Sequence, residues 1–377
     1  MTRVRRLVGI CGVALLVSGC AGAGTQVGEP VPPFHPGTVT SREKQPAKPA
    51  NAFTVVATGD VLIHPALTEQ AEQDGNGGRD FEPLFAGVKP VIEAADLAIC
   101  HMEVPLATAE GPFEGYPLFY APPEVATAVA ATGYDTCSTA SNHTFDHGAD
   151  GVRTTLDALD AVGIGHTGSA RTAEEAGRPL VTEVNGVKVG QVSATFGYNQ
   201  GTGEPEPWMG NEISVAGVVE AARRARAAGA EVVIASLHWG VEDQHEPTTD
   251  QRETAAAILA DPAVDLIVGH HAHVVQPFEK FGDKWVAYGL GNSVAKHEDP
   301  RGTTEEGLIA RFRFTKSDVG WRVDKAEYLP TLVDLGPPIR LRDLITDDTV
   351  DAARRQEALD RTDGVVLSLD PPGLTRP

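Results

Sequence analysis

The sequence predicts an α/β fold in which two β-sheets pack face to face and helices flank the outside, a two-sheet β-sandwich. From about Phe53 onward, short apolar runs alternate with stretches that are apolar at helical spacing, the habit of sheets covered by helices. After His273 this alternation gives way to hairpin patterns, which add antiparallel strands to an otherwise crossover-connected core. The 377-residue chain is also long enough for one large core.

The first strand is Phe53-Thr54-Val55-Val56-Ala57-Thr58, and residues 96–100, 134–139, 187–194, 231–237 and 264–268 read as further strands. Between them, residues 124–131, 151–162, 215–228 and 250–259 are rich in Ala, Leu and Val at helical spacing. Residues 274–281, the turn Gly282-Asp283 and residues 284–288 make one hairpin. Residues 307–315, where Leu308, Ala310, Phe312 and Phe314 alternate with Ile309, Arg311 and Arg313, make a second with residues 321–328. Asn185-Gly186 marks a third turn. The stretch from Gly336 holds one charged helix, 349–360, and a Pro-rich end with no readable chemistry.

Ahead of this core, Arg3, Arg5 and Arg6 precede the apolar run 7–17, a charged leader followed by a segment too short to span a bilayer. The run ends in Leu16-Val17-Ser18-Gly19-Cys20, small residues before a cysteine, as at the cleavage and lipidation site of bacterial lipoproteins. The expectation is a signal peptide over 1–19 and a lipid on Cys20 that anchors the exported protein to the outer face of the cell membrane. Residues 20–52, with Pro30, Pro32, Pro33, Pro36, Pro46 and Pro49 and almost no apolar periodicity, would tether a domain over 53–335, followed by an extension over 336–377.

The formal net charge of -21 disfavours a nucleic-acid partner, which calls for basic patches. The same acidity repels a polyanionic substrate unless metal ions or local basic groups screen it. Of the four cysteines, Cys11 leaves with the signal and Cys20 is lipidated, so Cys100 and Cys137 remain in an oxidising compartment. They form either a disulfide or two buried thiols that pack as small apolar side chains.

Chemistry enters where the apolar runs end, because nearly every core strand is followed at once by a metal-competent side chain. The first delivers Gly59-Asp60 and then His64; the second delivers His101 and Glu103; the third delivers Ser141-Asn142-His143 and then Asp146. Later strands deliver His238 with Glu242, and Gly269-His270-His271-Ala272-His273. In an open α/β sheet the carboxyl ends of strands share one edge, so residues distant in sequence converge there. Carboxylate, amide oxygen and imidazole together suit Mn, Fe or Zn. Two such ions about 3.5–4 Å apart can clamp a phosphate and activate water, which is metal-assisted hydrolysis.

The segments Gly59-Asp60, Asp96-Leu97-Ala98-Ile99-Cys100-His101-Met102-Glu103-Val104-Pro105-Leu106, Ser141-Asn142-His143-Thr144-Phe145-Asp146-His147-Gly148, His238-Trp239-Gly240-Val241-Glu242, Gly269-His270-His271-Ala272-His273-Val274 and Gly289-Leu290-Gly291-Asn292-Ser293 follow one another in an order that resembles the CapA (poly-γ-glutamate capsule synthesis) family. That family in turn resembles the calcineurin-like metallophosphoesterases. The resemblance implies two divalent ions held by Asp60, Glu103, Asn142, His238, His271 and His273, with Glu103 as the bridge. It implies His143 as general acid and Asp146 as the carboxylate that orients it, although Asp146 also reads as a helix N-cap. His64, His101 and Glu242 are further candidates. His101 stands where the family usually has Asn, and Asp-x-His, usual in the wider superfamily, is absent at Asp60. Two functions follow: a metal-dependent hydrolase acting on a phosphoester or an anionic polymer, or a non-catalytic protein organising such a polymer around a structural metal. Loops 111–120 and 197–208, with Tyr198, Asn199 and Trp208, are the expected substrate contacts, with loop stiffening the other reading.

Overall fold

In a computed structural model of the chain, the structure describes residues 51–297 and 299–377. The expected signal peptide, the expected lipidation site Cys20 and the expected tether up to residue 50 lie outside the described residues. In chain order the first half reads β1 (Ala52–Val61), α1 (Pro65–Asp74), α2 (Glu82–Phe85), α3 (Lys89–Glu93), β2 (Leu97–Met102), α4 (Glu124–Thr132), β3 (Thr136–Ser138), α5 (Gly148–Ala161), β4 (Gly165–Thr167), α6 (Ala173–Ala176), β5 (Leu180–Val184) and β6 (Val187–Thr195). There follow α7 (Val215–Ala227), β7 (Val232–His238), α8 (Thr249–Leu259), β8 (Leu266–His270), β9 (Phe278–Phe281), β10 (Lys284–Ala287), β11 (Asn292–Val294), β12 (Glu306–Ser317), β13 (Gly320–Asp334), β14 (Arg340–Asp343), α9 (Ala352–Val366) and β15 (Leu374–Thr375).

These strands form the two expected sheets, one of nine strands in the order β14-β13-β12-β1-β2-β3-β4, with β11 on β1 and β15 on β13, and one of six in the order β5-β6-β7-β8-β10-β9. The crossover-connected strands β1 to β4 and β6 to β8 run parallel, whereas the predicted hairpins β9-β10 and β12-β13 are antiparallel. Parallel strands buried on both faces read as continuous apolar runs, and strand periodicity then divides each run between two cores. Val55 and Ala57 of β1 meet Val232, Ile234, Leu266 and Val268 between the sheets, while Val56 faces the opposite way, into the core under α1 to α5. Val233, Ala235 and Ile267 likewise turn outward beneath α7 and α8.

Residues 336–377, read from sequence as an extension, pack into the same body. β14 and β15 both pair with β13, and Val366 of α9 lies in the core between the sheets. Cys100 and Cys137 sit opposite each other in the β2-β3 register and are joined by a disulfide, which decides between the two alternatives.

Candidate metal centre

The ends of β1, β2, β7 and β8 and the loop after β3 share one edge, and two glycines let them approach. A Cβ on Gly59 would lie 2.0 Å from the Gly291 carbonyl oxygen, and one on Gly269 would lie 1.9 Å from that of Tyr288. Only glycine fits against backbone at those distances, so Gly59 seats Asp60, and Gly269 seats the histidines that follow it. His271 and His273 take positive φ, 89° and 56°. For residues with a Cβ this costs about 1–3 kcal/mol each, a strain that persists only where surrounding contacts fix it.

Asp60, fully buried, pairs in register with His101 on β2 and Asn292 on β11. One of its oxygens, Oδ2, accepts the His271 backbone N–H at 3.1 Å and lies 3.2 Å from His273 Nδ1, while Oδ1 is 3.4 Å from His270 Nδ1. Burial alone would push Asp60 up, but the adjoining His270 and His273 rings outweigh it and hold the carboxyl well below its ordinary value. Glu103 lies across the site, with Oε1 3.7 Å from His273 Nε2 and 4.0 Å from His238 Nε2. Burial drives Glu103 well above the usual carboxylate range despite the pull of His273. Against its own burial, His273 is raised to about 10 by the Glu103 and Asp60 carboxylates. Burial and the neighbouring rings keep His238 and His101 well below 6.5 and take His271 to about 4.

His238 Nε2 lies 2.7 Å from Asn142 Oδ1. One residue on, His143 Nδ1 lies 2.7 Å from Asp146 Oδ2, which also accepts the Phe119 backbone N–H at 2.7 Å. Asp146 is thus the partner of His143 and not a cap; the N-cap of α5 is His147, and no side chain caps it.

The donor atoms fit a divalent metal. Asp60, Glu103 and His273 fall close enough to share an ion, as do Glu242, His271 and His273, and Asp60, His101 and His238. Both Glu103 oxygens, Asp60 Oδ1 and His271 Nδ1 are buried without a hydrogen-bond partner, a cost of about 1–3 kcal/mol each that a cation would remove. Of the residues expected from sequence, His64 falls outside these groups. It packs beside Phe119 and His297, and burial together with His297 takes it to about 3.

Tyr198 and Trp208 pack on the helix-side core, and the Asn199 backbone N–H donates to the Asn142 carbonyl at 2.8 Å, so the 197–208 loop supports the site. Phe196, 51% exposed, packs against the donor cluster, its ring centroid 4.5 Å from that of His271. Sequence reasoning missed it, and also Asn292, whose Oδ1 lies 3.0 Å from His273 Nδ1. A signal for Asn292 was present in the Gly289-to-Ser293 motif, whereas Phe196 has none beyond following a strand. A separate cavity of about 260 Å³ at the β4-β5 edge, lined by His166, Trp208 and Asn211 among others, shares no residue with the donor set.

Fold and donor set together define a two-sheet α/β protein with a buried centre able to hold divalent metal. The chain belongs to the bacterial capsule synthesis protein family PGA_cap, which matches residues 54–297. It is similar to the capsule biosynthesis protein CapA of Bacillus anthracis, 25% identical over 252 residues that cover 64% of this chain and 59% of that relative. It is also similar to the PGA biosynthesis protein CapA of Bacillus subtilis, 24% identical over 274 residues that cover 70% of this chain and 68% of the relative. Among solved structures it is similar to a calcineurin-like phosphoesterase from Bacillus subtilis, at 14% identity and a TM-score of 0.43, over 84% of this chain and 98% of that one.

Proposed function

We propose that this chain is an exported hydrolase, anchored through a lipid on Cys20, that uses two divalent ions to cleave a phosphoester or a bond in an anionic cell-envelope polymer such as poly-γ-glutamate. The observation that carries it is the buried His143–Asp146 pair one residue beyond Asn142. A purely structural metal site has no use for a positioned proton donor.

Asp60, Glu103, Asn142, His238, His271 and His273 would hold the ions, with Glu103, whose two oxygens are both free, as the bridge. The metal, Mn, Fe or Zn, would supply Lewis acidity and neutralise charge at the scissile group. Asp146 holds the Nδ1 side of the His143 ring, which leaves Nε2 to give a proton to the departing oxygen. Phe119 packs edge-on against that ring at 4.9 Å and limits its rotation. Phe196 shields the outer side of the donor cluster and would meet the substrate first.

The test is turnover of a generic phosphoester by the purified chain with and without added Mn. His143→Ala is expected to lower kcat by about 10² or more while metal content stays unchanged. An unchanged rate removes His143 from its role. The accessory reading, a polymer-organising protein around a structural metal, is favoured by His101 replacing the family's usual Asn and by His64 lying outside the donor groups. Stoichiometric metal with no turnover under any ion supports it.

A further inference from the structure

His101 commits both ring nitrogens to the wall of the site. Nδ1 lies 2.8 Å from Ser138 Oγ and Nε2 lies 2.9 Å from His238 Nδ1. The ring is fully buried and stacks on His270 with centroids 4.0 Å apart and planes 13° from parallel. His101 is near enough to Asp60 and His238 to join them around an ion, but a ring with both nitrogens bonded to protein has no lone pair left to direct at one. Glu103 and His271 differ in this respect, since each keeps an unpartnered polar atom.

A contact between two ring nitrogens holds one hydrogen, so the tautomer of one ring dictates that of the other. In one direction His238 Nδ1–H donates to His101 Nε2, His101 Nδ1–H donates to Ser138 Oγ, and the Ser138 hydroxyl donates to the Cys100 carbonyl, 3.3 Å away. His238 Nε2 is then bare beside Asn142 Oδ1 at 2.7 Å, two lone-pair donors spaced to share one cation. In the other direction the Ser138 hydroxyl donates to His101, His101 donates to His238, and His238 Nε2–H donates to Asn142 Oδ1, which closes that position to an ion.

We propose that His101 is a positioning residue and not an ion ligand: by accepting from His238 Nδ1 it presents His238 Nε2, together with Asn142 Oδ1, to the metal. The inference rests on the metal-centre reading above, and it concerns the position where this chain departs from the family's usual Asn. A histidine bonded behind a metal-ligating histidine fixes the ligand's tautomer and its basicity, and losing such a partner costs about 10–100-fold in metal affinity.

Histidine-selective ¹⁵N labelling of the full chain reads the ring tautomers in both the metal-free and the Zn-saturated protein. Zn-loaded wild type is expected to show His238 protonated on Nδ1, with no Zn-induced coordination shift on either His101 nitrogen. In His101→Gln the side-chain oxygen can still accept from His238, so Zn affinity stays within about threefold of wild type; in His101→Asn, whose shorter amide serves Ser138 only, it falls about 10–100-fold. Ser138→Ala removes the far end of the chain without touching either ring and is expected to shift the His238 tautomer ratio even if a His101 variant does not fold. A Zn coordination shift on His101, or Zn affinity and His238 tautomers unchanged in His101→Asn, overturns the proposal. If the wild type takes up no Zn, the metal reading falls on its own, and the metal-free spectra still decide. A His238 tautomer ratio that moves in His101→Asn supports the positioning role; where that variant does not fold, Ser138→Ala decides, a moved ratio supporting the role and an unmoved one refuting it.

Discussion

In the metal-free centre His273 holds a proton that an ion must displace. Its Nδ1 is 3.2 Å from Asp60 and its Nε2 is 3.7 Å from Glu103, and the two carboxylates raise its pKa to about 10 against the effect of burial. An imidazolium has no lone pair to offer, so binding through His273 expels its proton. Near pH 7 the ring lies about three pH units below that midpoint, and the competition weakens binding by about 10³, or about 4 kcal/mol. Apparent affinity should therefore climb at least about tenfold per pH unit from pH ~6 to ~9, with one proton released from His273 and a second from Glu103 wherever burial still holds its carboxyl protonated. Calorimetric Mn or Zn titrations in two buffers of different ionisation enthalpy count the released protons directly. Because the folded pKa is raised, the proton's stabilising contribution to the metal-free fold is fully present below the ordinary value of 6.5 and is lost as pH rises through about 10. Affinity flat from pH ~6 to ~8, with no proton released, would refute the placement of His273 between two carboxylates as a ligand.

Further outcomes follow from the packing. Cys100–Cys137 closes a loop with a sequence separation of 37, so replacing both with Ser should cost about 4 kcal/mol of stability in urea unfolding; a loss under about 1 kcal/mol would show that the bond adds little. Gly269→Ala, whose Cβ would sit 1.9 Å from a backbone oxygen, should lower bound metal and thermal stability together, and normal metal content in a well-folded variant would contradict the seating of the β8 loop. Buried Glu306 accepts from Arg354 at 2.6 Å and Arg361 at 3.1 Å, both on α9, so the double Arg→Ala variant leaves a buried carboxyl unpaired. The expected loss is about 3 kcal/mol, at the low end for a broken buried pair because both arginines are about a quarter exposed; a change near zero would show that α9 does not secure β12.

The strands that carry the chemistry were legible because each is a continuous apolar run buried on two faces, as in β1, β7 and β8, and a run of that kind can end only in a turn that holds polar groups. That residues at these strand ends would share one edge followed from parallel order, whereas the choice of Asp60, Glu103, Asn142, His238, His271 and His273 among them came from the family resemblance. Residues 65–93 gave no such signal, since Pro65–Asp74 carries Glu, Gln and Asp around only a few buried side chains, Leu67 and Ala71 among them. β4, β11 and β15 are two or three residues long, too short for periodicity to register, and they exist because a neighbouring strand offers an open edge. The left-handed backbone at His271 and His273 was equally hidden, because nothing in their side chains asks for it. His101 could be flagged by its spacing before Glu103, but only the Ser138 and His238 contacts show which way its nitrogens turn.

The most direct test is the metal content of the purified full chain after equilibration with Mn, Fe or Zn, wild type beside Glu103→Gln. Wild type is expected to hold about two ions per chain and Glu103→Gln at least one fewer. A wild-type protein that retains no ion above a buffer blank, or a Glu103→Gln variant that binds as many as wild type, would contradict a two-ion centre bridged by Glu103.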